Sequence, residues 1–182
     1  MTLTALIEGY ASIFNEPDMN GDIVAPGAFA RRKPAHEIRL LYQHAAEVPI
    51  GRWLSFAEDA RGLYAKGELL LASDAAREVH ALLSGGAIDG LSIGFQTVRS
   101  RKEKGASRLI LEADLWEVSV VTFPMAPGAR VTRVGEPAPA AFPPDAAGAI
   151  FAGALRDAAR MIAVEARSRT NRSVTNPSRS KV

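Results

Sequence analysis

Ala87-Ile88-Asp89-Gly90-Leu91-Ser92-Ile93-Gly94-Phe95 is the stretch of sequence that decides the fold. It places a serine between two nearby glycines, and glycine lets another backbone or a substrate come close because it has no Cβ. The stretch also matches Gly-x-Ser-x-Gly, which in α/β-hydrolases forms a sharp turn between a strand and a helix. Whether Ser92 is such a nucleophile therefore depends on the residues around it.

Two features of the chain exclude the α/β-hydrolase fold. In that fold the acid and the histidine follow the serine, whereas His36, His44 and His80 all precede Ser92. The turn must also lead into a helix, but residues 93–98 are rich in β-formers and predict a strand. A nucleophile at Ser92 would therefore act from a β-strand, with a base supplied from upstream.

The rest of the chain predicts an α+β fold that is mainly β. Alternating apolar residues and turn signals predict strands at residues 3–14, 38–42, 50–56, 63–71, 91–98 and 109–123. A helix is predicted at 74–83, with Ser73 as its N-cap and Gly85-Gly86 at its end. A short helical segment is predicted at 26–30.

Bulk composition narrows the class of protein. The chain has 182 residues, of which 47% are hydrophobic, so it can bury a sizeable core. Its formal net charge of +2 does not by itself indicate nucleic-acid binding. The chain has no cysteine, which excludes disulfides and thiolate chemistry. The lack of cysteine fits a cytoplasmic protein. We see no secretory signal and no apolar run of the roughly 20 residues that a membrane span needs.

Composition changes near residue 135, which predicts a domain boundary. We expect one main folded domain at 1–134, a linker rich in proline and alanine at 135–144, a helix at 145–168 and a disordered basic tail at 169–182. The helix on its tether suggests a docking element. The basic tail could contact nucleic acid, but a solvated helix and a loose end explain it nearly as well.

A serine nucleophile needs a positioned base, and His44 is the best candidate. It ends the strand face formed by the alternate residues Ile38, Leu40 and Tyr42, and a strand end is rigid yet partly open. The alternative is a surface histidine beside a turn. His80 is predicted on the solvated face of the helix, and His36 in a polar loop.

The third catalytic residue should be an acid that orients the base. Glu117 lies in the apolar run Leu115-Trp116-Glu117-Val118-Ser119-Val120-Val121, where a carboxylate is costly to bury unless it is paired. Asp114, whose side chain should point with Trp116, is the second choice. A carboxylate facing water from an edge strand is the alternative interpretation of Glu117.

Metal and cofactor sites are not indicated. Three scattered histidines without cysteine match no zinc spacing. Asp18-Met19-Asn20-Gly21-Asp22 superficially resembles a calcium loop, but its glycine comes too early and no bidentate glutamate follows. We therefore predict a turn there, and neither a metal nor a cofactor.

Six ordered motifs together resemble a known family. They are Asp22-Ile23-Val24-Ala25-Pro26-Gly27-Ala28-Phe29, Leu41-Tyr42-Gln43-His44, Pro49-Ile50-Gly51-Arg52-Trp53, Gly62-Leu63-Tyr64-Ala65-Lys66-Gly67, Gly86 to Phe95, and Leu115 to Pro124. This set resembles the prohead (capsid maturation) proteases of HK97-type tailed phages and related gene transfer agents. The resemblance covers about residues 8–134.

The resemblance implies a serine endopeptidase similar in fold to herpesvirus assemblin, an antiparallel β-barrel with surrounding helices. It implies Ser92 as nucleophile and His44 as base, with Glu117 as the best-matched third member where the herpesvirus enzymes use a second histidine. The implied substrates are the major capsid protein, its scaffold segment and the protease itself, inside the procapsid in the producing cell's cytoplasm. A homodimer is implied by analogy. A catalytically inactive scaffold with the protease fold is the alternative.

Overall fold

The computed structural model describes residues 2–140, and the chain divides after Pro139. The strands are β1 (Leu3–Ile13), β2 (Asp22–Val24), β3 (Arg39–Tyr42), β4 (Ala45–Glu58), β5 (Gly62–Leu70), β6 (Gly90–Arg101), β7 (Arg108–Val121), β8 (Val131–Val134) and β9 (Ala138–Pro139). A 3-10 turn, Ala35–Glu37, precedes β3, and α1 (Asp74–Ser84) joins β5 to β6. The mainly β class with one α-helix in this part is therefore confirmed. The helix predicted at 145–168, the tail at 169–182 and the end of the linker lie outside the described residues.

One mixed sheet organises the strands. Its order is β2-β7-β3-β4-β5-β1-β8, with β6 also paired to β7 and β9 to β1. β2 and β3 both run parallel to β7, while the other pairs are antiparallel. The prediction of a purely antiparallel sheet is therefore wrong. Long stretches of chain separate β2 and β3 from β7 and allow the parallel pairing, which a short hairpin does not.

The predicted barrel is not closed. Only an isolated bridge between Gly90 and Arg130 joins the start of β6 to the segment before β8. β8 is four residues long and continues along β1 instead, so no ladder forms with the rest of β6. The edge of β6 that faces away from β7 is consequently left open beyond this bridge.

One local prediction is wrong, and another is confirmed in position only. The predicted helix at 26–30 is a series of turns, because Pro26 and Gly27 occupy the central positions of a turn closed by Ala28 N–H to Ala25 O at 3.1 Å. Gly27 has φ +84°, as the third residue of a type II turn requires. Ser73 occupies the N-cap of α1, but its side chain makes no capping hydrogen bond.

The core positions the strands that carry the candidate residues. Trp53 of β4 is 2% exposed and donates its indole N–H to Val118 O of β7 at 3.2 Å. Leu91 of β6 and Val118 and Val120 of β7 are fully buried. The start of β6 and the end of β7 are therefore packed into the core. No helix within residues 2–140 is long and apolar enough to cross a membrane.

Ala138–Pro139 falls inside the predicted linker but pairs with Leu3–Thr4 of β1. Gly135 also donates its N–H to Leu6 O at 2.7 Å. The sheet thus continues past the boundary expected at residue 134.

Candidate active site

His44 lies in a tight turn rather than at the end of a strand. Tyr42 and Ala45 pair across the β3–β4 hairpin, and Gln43 and His44 between them have φ of 54° and 60°. This is the conformation of a type I′ turn, which usually carries Asn-Gly. A non-glycine residue held there costs about 1 kcal/mol or more, and such strain clusters at functional sites. The turn fixes the backbone that carries the imidazole.

Gln43 hydrogen-bonds this turn to the end of β7. Its backbone N–H donates to Val120 O at 2.9 Å, and its side-chain amide donates to Thr122 Oγ1 at 2.7 Å. The strained turn is thereby anchored on the strand that also carries Glu117.

The imidazole of His44 contacts the carboxylate of Glu117. His44 Nδ1 and Glu117 Oε1 are 2.7 Å apart, and the glutamate side chain is 14% exposed against 43% for the histidine. When Nδ1–H donates to this carboxylate, Nε2 is left as the acceptor nitrogen on the open side of the ring. The arrangement suits a general base oriented by an acid.

Ser119 holds the other oxygen of Glu117. Its hydroxyl donates to Oε2 at 2.5 Å, and the residue is fully buried. Both carboxylate oxygens therefore have a partner, which lowers the cost of burying the charge. No role was predicted for Ser119 from the sequence. The i, i+2 spacing of two polar residues in an apolar strand was the available signal.

Ser92 lies directly opposite Ser119 in the antiparallel β6–β7 pair. Directly opposite residues project to the same face, so Ser92 belongs to the face that carries Glu117 and Ser119. Ser92 is 3% exposed, and its hydroxyl has no hydrogen-bond partner within the described part of the chain. Ser92 and His44 are thus not hydrogen-bonded in this conformation.

Gly94, the second glycine of the Ser92 motif, makes room for Glu117. The two residues pair across β6 and β7. A Cβ at Gly94 would come within 2.2 Å of Glu117 Oε1. The motif glycine is therefore required by the carboxylate that contacts the histidine.

We expect Gly94→Ala to push the Glu117 side chain away from His44 without unfolding the protein, since the obstructing atoms end a flexible side chain. The hydrolytic activity that the sequence predicts should fall by about 10²-fold, as displacement of catalytic groups by about 1 Å commonly does. Steady-state kinetics and thermal unfolding would measure the two effects. Gly85→Ala, at the end of α1, is the matched control and should retain activity. Full activity in Gly94→Ala would contradict this role for the glycine.

The other candidates lie elsewhere. Asp114 accepts from Trp116 Nε1 at 2.8 Å and from Lys33 Nζ at 3.3 Å. The hydrogen bond from the indole, followed by that from Lys33, lowers the pKa of the Asp114 carboxyl. His36 is 3.8 Å from Glu37 on the surface, and His80 Nε2 is 3.1 Å from Gly135 O. None of these three makes a hydrogen bond or ion pair with Ser92, His44 or Glu117.

The loop at Asp18–Asp22 is a turn, as predicted. Asp18 Oδ1 accepts the backbone N–H groups of Asn20 and Asp22 at 2.8 and 2.9 Å. Asp22 in turn forms an ion pair with Arg108 at 2.8 Å. Among residues 2–140 no group of three or more histidine or acidic side chains is placed to hold a metal ion.

The sequence of the chain is similar to those of phage prohead proteases. A family model described as caudovirus prohead serine protease matches residues 2–139. The prohead protease of Enterobacteria phage HK97 is 36% identical over 124 residues, which cover 65% of this chain and 55% of the phage protein. The match thus spans little more than half of that relative's length.

The fold also resembles a solved structure. The protease of Kaposi's sarcoma herpesvirus, solved with a hexapeptide phosphonate inhibitor, superimposes with a TM-score of 0.51. It is 15% identical, and the match covers 75% of this chain and 66% of the herpesvirus protein. At this identity the likeness concerns the fold alone.

Proposed function

The chain belongs to the caudovirus prohead serine protease family, and from this membership we propose that it is a serine endopeptidase acting in capsid maturation. The observation that carries the proposal is the contact between His44 and Glu117 beside the strand pair that holds Ser92. A histidine oriented by a carboxylate, next to a serine, is the arrangement that activates a hydroxyl for acyl transfer.

In the proposed reaction Ser92 Oγ attacks the scissile carbonyl carbon while its proton passes to His44 Nε2. The resulting imidazolium is stabilised by Glu117, which keeps Nδ1–H as donor. The peptide C–N bond then breaks, and the same proton goes to the leaving amine. Water hydrolyses the acyl-enzyme by the reverse sequence of proton transfers, and the serine is regenerated.

The absence of a Ser92–His44 hydrogen bond is compatible with this mechanism. Catalytic hydrogen bonds are often absent or long in the free enzyme and form only with substrate bound. His44 is 43% exposed and can move towards β6 while the turn stays anchored. We infer that substrate binding completes the Ser92–His44 contact.

The open edge of β6 offers a binding surface for an extended peptide. Leu91 donates its N–H to Ala129 O at 3.0 Å, on the side of β6 away from β7. Since alternate residues of a strand direct their backbone groups to the same edge, Ile93 directs its N–H to that side too. A substrate strand pairing at Ile93 would place its carbonyl groups beside Ser92.

The proposed substrates are the major capsid protein with its scaffold segment, and the protease itself. The HK97 relative is named a prohead protease, which supports an action inside the procapsid in the cytoplasm of the producing cell. We propose a homodimer as well, by analogy of fold. Trimming of the chain after residue 135 would be one form of self-cleavage.

A second candidate function is a catalytically inactive scaffold. The covered, unpartnered Ser92 hydroxyl favours it, because no group in the described part of the chain hydrogen-bonds to the serine in this conformation. The two candidates differ in whether capsid protein is cut.

Co-expression of the full chain with its capsid protein tests the proposal. Intact-mass spectrometry should show capsid protein shortened by a defined segment, compared with capsid protein expressed alone. Procapsids that contain the chain but keep full-length capsid protein would support the scaffold function and overturn the proteolytic one.

A further inference from the structure

A cavity of about 310 Å³ borders Ser92 on the open side of β6. Ser92 and Gly94 contribute to one wall, and the loop between β1 and β2 contributes Glu16, Asp18 and Asn20 to another. The volume lies within the usual range of small binding pockets. The cavity is thus large enough for one long side chain of a peptide lying along the strand.

The cavity carries an excess of negative charge. Three carboxylates line it, from Glu16, Asp18 and Asp22, but only one guanidinium, from Arg108. Asp22 and Arg108 satisfy each other, with Arg108 Nε 2.9 and 3.0 Å from the two carboxylate oxygens. The charge of Arg108 is therefore already neutralised and does not attract a further anion.

Neither of the other two carboxylates forms an ion pair within the described residues, although the charge of Arg108 also acts on Asp18. Asp18 uses Oδ1 to accept backbone N–H groups of its own loop. The carboxylate of Glu16 has no hydrogen bond or ion pair within the described residues. Unpaired carboxylates beside a cavity favour a cationic ligand.

The hydroxyl of Ser92 is a second indication that the cavity binds a ligand. Its hydroxyl is buried and unpartnered, and the residue lines the same cavity. A buried hydroxyl without a partner is costly, and occupation of the cavity by a peptide would supply partners. The cavity and the candidate nucleophile therefore form one continuous site.

We propose that this cavity binds the lysine or arginine side chain of the substrate residue that contributes the scissile carbonyl. The proposal rests on the proposed proteolytic function and names its specificity. That residue is the one closest to the serine, so its side chain enters the space beside Ser92. Glu16 and Asp18 then face the ammonium or guanidinium group. The described residues offer no cluster for a metal ion here, so the expected cation is organic.

Kinetics on matched peptides test the specificity. The full chain would be assayed on fluorogenic peptides spanning the cleavage site mapped in the capsid protein. Lysine, norleucine or glutamate would occupy the position before the cut. Norleucine keeps the aliphatic stem of lysine and lacks the charge. We expect kcat/KM for lysine to exceed that for norleucine by about tenfold, the usual value of a hydrogen bond to a charged group, and glutamate to be the poorest.

Three variants test whether the carboxylates of the cavity cause the preference for lysine. Glu16→Gln and Asp18→Asn remove one charge each, and Asp18→Asn keeps the acceptor that holds the loop. Each should lower the lysine-to-norleucine ratio severalfold. Glu78→Gln, on the exposed side of α1, removes the same charge away from the cavity and should leave the ratio unchanged.

The outcomes separate the two proposals. Three results would overturn the cavity assignment and leave the proteolytic function standing. They are cleavage of all peptides at similar rates, a preference for glutamate, and a lysine preference that Glu16→Gln and Asp18→Asn do not alter. Failure of the wild-type chain to cleave any peptide, including the mapped capsid sequence, would overturn the proteolytic function and the specificity with it.

Discussion

Ser92→Ala is expected to abolish peptide hydrolysis while leaving the protein at least as stable as the wild type. Loss of a serine nucleophile typically lowers kcat by roughly 10⁶-fold. The hydroxyl that is removed is buried and has no partner. Removal of such a group should raise the free energy of unfolding by about 1 kcal/mol. Capsid-peptide cleavage and urea unfolding measure the two effects.

Ser119→Ala is the matched control for stability. Ser119 is also fully buried and lies directly opposite Ser92, but its hydroxyl donates to Glu117. Its removal should lower the free energy of unfolding by about 1 kcal/mol, whereas Ser92→Ala should raise it. Ser55→Ala, on the exposed side of β4, should change neither property. A Ser92→Ala protein that still cleaves at the wild-type rate would rule out the proposed nucleophile.

Changes to the histidine and its carboxylate should produce the second large effect. His44→Asn keeps a residue that tolerates the left-handed turn but removes the base, and we expect kcat to fall by roughly 10⁶-fold. Glu117→Gln leaves the base without an anionic partner and should lower kcat by roughly 10⁴-fold. Single-turnover cleavage of a capsid peptide would measure both.

The double variant tests whether the two residues act as one unit. Once His44 is gone, the carboxylate has no imidazole to orient, so His44→Asn with Glu117→Gln should be no slower than His44→Asn alone. Multiplicative losses, or an unaffected Glu117→Gln protein, would show that the His44–Glu117 contact is structural. Circular dichroism would confirm that each variant is folded.

Much of the fold and of the candidate site was predictable from local patterns. Ser92, placed on a strand by the β-formers after it, lies within β6. Glu117 was singled out because an unpaired carboxylate in an apolar strand is costly, and the structure gives it two partners, His44 and Ser119. These placements could be predicted because they depend on neighbours in sequence and on burial, whereas the catalytic roles of both residues are proposals.

The features that were missed depend on contacts distant in sequence. Alternation placed His44 on the strand face of Tyr42, but the chain turns at Gln43, where positive φ at two non-glycine residues contradicts their local preference. The parallel pairing of β3 with β7 joins residues nearly 80 positions apart. The acidic cavity requires the loop after β1 to lie beside Ser92, which no local pattern indicates.

Covalent labelling tests the central claim most directly, because it reports on the reactivity of one hydroxyl. The full-length protein would be treated with a peptidyl phosphonate carrying the capsid cleavage sequence, and the adduct located by peptide mapping and mass spectrometry. We predict a single adduct on Ser92, formed much more slowly in His44→Asn. An adduct on another residue, or no adduct in a preparation that cleaves capsid protein, would contradict the account.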